Sequence, residues 1–74
     1  MNTSVIVRDR SILNGVPVFA GTRVPVRILF EYLEAGDRID EFLDDYPGVT
    51  KDQTTAVLEM ASDLLIAPHV EAAA

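Results

Sequence analysis

Seventy-four residues, 49% of them hydrophobic and none of them cysteine, describe one thin-cored domain with no disulfide or thiolate metal site to staple it. The apolar share excludes disorder over most of the length, and apolar runs of only a few residues exclude a membrane-spanning helix. The formal net charge of −6 is unevenly placed: residues 1–27 carry Arg8, Arg10, Arg23 and Arg27 against Asp9, whereas residues 28–74 carry Arg38 and Lys51 against eleven acids. A basic end and a strongly acidic remainder imply two different surfaces. Short chains without staples gain stability by associating, so a homodimer or a partner-bound state is expected. The opening "MNTSVIVRDR" has no long apolar segment and no small-residue cleavage site, so the expected location is cytoplasmic.

In chain order, "SVIVRD" at 4–9 has the β-branched run of a strand. Asn14-Gly15 is a turn signal. "VPVF" at 16–19 reads as a second strand, held to an edge because Pro17 cannot donate to a ladder. The two form a β-hairpin or arm over 4–20, whose edge could pair with a second copy. Gly21, Thr22, Arg23 and Pro25 then form a structural turn. Gly21 permits a positive φ, Thr22 supplies a turn or capping hydroxyl, and Arg23 ties neighbouring carbonyls. Pro25 suits the first position of helix one, "PVRILFEYLEA", with Val26, Leu29, Phe30 and Leu33 on its inner stripe and Gly36 as its stop. Helix two is short, "IDEFLDDY", with Ile39, Phe42, Leu43 and Tyr46 inward, and Pro47-Gly48 ends it. Thr50 with Gln53 is a capping box for helix three, Lys51 to Leu65, which turns Val57, Leu58, Ala61, Leu64 and Leu65 inward. Residues 1–66 thus form a single domain, its helical part at 25–66, and 67–74 are expected to be a flexible tail.

Three helices with short connections behind a β-arm make a mainly α, helix-turn-helix-like domain. Helix three would be its recognition helix, whose first residues reach base edges in such folds. Lys51, Gln53, Thr54 and Thr55 occupy that place: Gln can pair with adenine, Thr can meet a thymine methyl, and Lys can hold phosphate or guanine. Arg8, Arg10 and Arg27 could add an electrostatic grip on nucleic acid, or could be scattered solvated charges. The acids Asp40, Glu41, Asp44 and Asp45 are either a solvated face or a docking face for a basic partner. Nothing points to catalysis. The one histidine, His69, falls in the tail, and no phosphate loop or metal-binding helix signature is present, so neither cofactor nor metal is expected.

"GTRVPV" followed at the right separation by "DDYPGVT", within 14–65, resembles the small prokaryotic family called domain of unknown function 433. Two positions depart from its pattern: "NGV" stands where a Gly-Gly-Lys is usual, and Arg38 falls at the cap of helix two. The resemblance implies a homeodomain-like fold. It also implies a non-catalytic antitoxin of a type II toxin–antitoxin pair, similar to VapB-type partners of PIN-like nuclease toxins. Such a protein is expected to form a homodimer, neutralise its cognate toxin and repress its own operon by binding operator DNA. The alternatives are a protein-interaction module with no DNA role and a free-standing small transcriptional regulator.

Overall fold

The computed structural model describes residues 4–66. The expected tail and His69 lie outside them. The chain is mainly helical: strands β1 (Ile6–Val7) and β2 (Val18–Phe19) precede α1 (Val26–Glu34), α2 (Ile39–Asp45) and α3 (Lys51–Leu65). The strands are antiparallel, with Ile6 opposite Phe19 and Val7 opposite Val18.

Both strands are shorter than their β-branched runs predict, because the chain between them is not a tight turn. Asp9 opens that connection. Its carboxylate accepts from the Ser11 N–H at 2.8 Å and from the Ser11 hydroxyl at 2.7 Å, and this holds its pKa below the ordinary value. A single 3₁₀ turn at Leu13–Gly15 follows, with Leu13, Asn14 and Gly15 all at positive φ. A bulky Leu in that region is strained. The Asn14-Gly15 signal therefore marks a bend inside a long connection, not the hairpin's own turn.

The expected edge strand is central. On its second side, the Phe19 N–H donates to the Val24 carbonyl at 3.0 Å, and the Val26 N–H donates to the Pro17 carbonyl at 2.9 Å. Val18 also bridges to Pro25. Pro17 stays outside the strand, where its missing donor costs nothing. The open edge belongs to β1, and Ser4 closes it: its hydroxyl accepts from the Ile6 N–H at 3.1 Å and donates to the Ile6 carbonyl at 2.5 Å. Edge pairing between copies through "VPVF" is thus excluded by the chain's own hydrogen bonds.

The reversal after β2 is a four-residue turn in which the Thr22 N–H donates to the Phe19 carbonyl at 3.0 Å. Gly21, its third residue, has φ +77°, the conformation a type II turn demands there. Pro25 lies one residue earlier than predicted, as the N-cap of α1 with ψ 138°, because the Val26 N–H is still engaged with Pro17. At the other end of α1, the Gly36 N–H donates to Leu33 at 3.0 Å and the Asp37 N–H to Tyr32 at 2.9 Å. That pair of bonds, with Gly36 at φ +87°, is a Schellman stop.

One core joins every element: Phe19 from β2, Val26 and Leu29 from α1, Phe42 from α2, Val49 from the following turn and Val57 from α3. Phe42 is its hub. Its ring centroid lies 5.9 Å from Phe19, 5.4 Å from Tyr32 and 5.3 Å from Tyr46, within the range where aromatic pairs attract. The stripe on α3 outruns this core. Leu64 and Leu65, predicted to face inward, are 77% and 74% exposed, because nothing packs against the last turn of the helix among the described residues.

Candidate functional site

The start of α3 is where a helix-turn-helix reading places base contacts, and two of the four expected readers are used internally. The Gln53 side-chain oxygen accepts from the Thr50 N–H at 2.9 Å, while the Thr50 hydroxyl accepts from the Gln53 N–H at 3.1 Å. This is a complete capping box. The remaining Gln53 group, its amide nitrogen, donates to the Ala20 carbonyl at 3.0 Å and ties α3 to the turn after β2. Thr54 is fully buried, and its hydroxyl donates to the Lys51 carbonyl at 2.7 Å. Neither side chain has a polar group left to offer a base edge, which corrects the expectation for both. Lys51 and Thr55 remain exposed. They line a hollow of about 370 Å³ between α2 and α3 together with Arg38 and Asp40.

Arg38 is the residue that sequence reasoning treated only as an awkward cap. It is the N-cap of α2, in place of the neighbouring Asp37. Its N–H donates to the Glu41 carboxylate at 2.6 Å, one half of a capping box. The other half cannot form, because a guanidinium has no acceptor. The side chain is left to face solvent, with Asp40 3.6 Å away.

The structural turn holds differently from the expectation. Thr22 is the fastener: its hydroxyl donates to the Phe19 carbonyl at 2.8 Å and accepts from the Val24 N–H at 3.0 Å. Arg23 is exposed and makes no hydrogen bond or ion pair among the described residues, so it ties nothing. The short hydroxyl reaches both backbone groups without ordering a long side chain.

The basic residues of the arm separate. Arg8 and Arg27 line one apolar groove of about 310 Å³ with Ile6, Val16 and Phe30. Arg27 also pairs with Glu31 at 2.8 Å, one turn along α1, an exposed contact of small energetic weight. Arg10 is exposed beyond that groove, on the connection between the strands.

The four acids of α2 also differ in what they do. Glu41 caps Arg38, and the Asp45 carboxylate accepts from the Tyr32 hydroxyl at 2.5 Å. That bond to an anion raises the Tyr32 pKa to about 12. Asp40 and Asp44 are exposed and lie one turn apart on the same side of the helix. Asp44 makes no side-chain hydrogen bond or ion pair among the described residues.

Comparison with known families decides what these features belong to. The sequence model of the family described as "Protein of unknown function (DUF433)" matches residues 6–61, from β1 through most of α3. The chain belongs to the DUF433 family. No curated protein and no solved structure matches it. Both motifs that suggested the family have a structural role in this DUF433 member. "GTRVPV" builds the turn and its bridge to β2, and "DDYPGVT" carries the chain from α2 into the Thr50 cap.

Proposed function

We propose that this DUF433 protein is a non-catalytic antitoxin that neutralises a basic, PIN-like nuclease toxin by docking it on the acidic face of α2. The observation that carries the reading is the placement of Asp40 and Asp44. Like charges one turn apart destabilise a helix, and an acid in the last turn opposes the helix dipole. Asp44 thus works against its own helix with no compensating partner among the described residues. An external cation supplies the compensation, and complementary charge speeds encounter and fixes orientation. The nuclease partner itself comes from the family resemblance. Co-expression with the product of the adjacent gene tests the reading. Wild-type protein restores growth and co-purifies, and Asp40→Lys with Asp44→Lys does neither. Full rescue by the double variant contradicts the docking face.

Operon repression is a second reading, favoured by one observation: Arg38 joins Lys51 and Thr55 around a single hollow at the start of α3. Two cations and a hydroxyl there suit phosphate positioning better than base readout. Arg38→Ala or Lys51→Ala should weaken binding to the upstream DNA and reduce its salt slope by about one each. A band shift indifferent to both variants, or absent altogether, argues for a protein-binding module without a DNA role.

A further inference from the structure

Two apolar surfaces lack partners, and they differ in charge. One is the groove between the β-arm and α1, where Ile6, Val16 and Phe30 form an apolar wall beside exposed Arg8 and Arg27. The other is the end of α3, where Met60, Leu64, Leu65 and Ile66 are exposed. Met60 and Leu64 are one turn apart, and so are Glu59 and Asp63 immediately behind them, so an acidic row runs alongside the apolar row. Arg8 makes no ion pair among the described residues, and Arg27 holds only the exposed Glu31 contact.

We propose that the α3 end of one copy occupies the basic-sided groove of a second copy, reciprocally, to form a two-fold dimer. An amphipathic helix laid into an apolar groove is a common mode of association, with side chains at i, i+3 and i+4 as anchors. Ala61, Leu64 and Leu65 have that spacing. Glu59 and Asp63 then approach Arg8 and Arg27 of the other copy, and a reversed charge pattern would repel. Reciprocity matters because a one-way contact between two different patches grows into open chains, whereas a two-fold exchange closes and covers both patches at once. Strand pairing is not the route, since β2 is enclosed on both sides and Ser4 closes β1. The exchange does not depend on toxin or DNA binding, so its failure leaves the antitoxin reading standing.

The chain's lack of cysteine makes the test direct. Val16→Cys and Leu64→Cys are made separately, and each is oxidised alone and as a mixture, with Ala35→Cys as an exposed control. The expected result is a cross-linked dimer that forms in the mixture at least tenfold faster than in either variant alone or in the control. Leu64→Cys coupling mainly to itself, or a mixture no faster than the control, overturns the proposal. Sedimentation of the full chain gives an independent readout. Arg8→Glu should weaken the dimer at least fivefold, and Asp63→Arg added to it should restore the dimer. A wild-type chain that sediments as a monomer, or a charge reversal without rescue, overturns it as well.

Discussion

At the scale of single residues, the α3 start shows how one amide can replace a recognition contact by a structural one. Gln53 satisfies the Thr50 N–H and the Ala20 carbonyl together, so Gln53→Ala should cost about 1–2 kcal/mol, the loss of a cap and a cross-element hydrogen bond. Thr55→Ala, at an exposed neighbour, should stay within about 0.5 kcal/mol in the same urea titration. Equal losses would mean that the Gln53 clamp contributes nothing. Tyr32 gives a pH-dependent test. Its pKa rises from 10.0 to about 12 because its hydroxyl donates to the Asp45 carboxylate. A raised folded-state pKa stabilises the fold fully below the unfolded value, and that contribution is lost as pH climbs through the folded one. Ultraviolet titration should therefore show one tyrosine ionising near pH 12, with stability falling as pH rises from 10 toward 12. Tyr32→Phe should abolish that late step.

At the scale of elements, the helices were legible and the β-arm was not. The i, i+3, i+4 stripes, Gly36 and the Thr50–Gln53 box each act within a few residues, and each is where its local chemistry requires. The arm depends on contacts distant in sequence. No local rule foretold that residues 24–26 would return to pair with β2, so "VPVF" read as an edge. The same cause explains Leu64 and Leu65: periodicity gives the direction of a helix face but not where its neighbours end. The candidate site was half legible for a related reason. Lys51 and Thr55 were found by position, whereas the consumption of Gln53 depends on Ala20, thirty-three residues away. The turn itself is open to test. Gly21 sits at φ +77° with nothing near its missing Cβ, so Gly21→Ala should cost about 1–2 kcal/mol from backbone strain alone. An unchanged melting curve would place the strain elsewhere.

At the scale of the whole molecule, a single aromatic hub holds the strands and helices together, and two oppositely charged halves face outward. Phe42→Ala removes contacts to Phe19, Tyr32 and Tyr46 at once, and about 3–5 kcal/mol is a large share of what so small a domain can have. Charge placement acts in the opposite sense. Asp44→Lys relieves a like-charge pair and complements the helix dipole, so it should raise the melting temperature by roughly 2–4 °C while weakening partner binding. A site that costs its own fold stability is a site used for something outside the chain. The most direct test is calorimetric titration of the full chain with the product of the adjacent gene, at low and at high salt, for wild type and Asp40→Lys/Asp44→Lys. The account requires tight binding that weakens with salt and is lost in the variant. Absence of binding, or binding indifferent to both salt and the two aspartates, would contradict it.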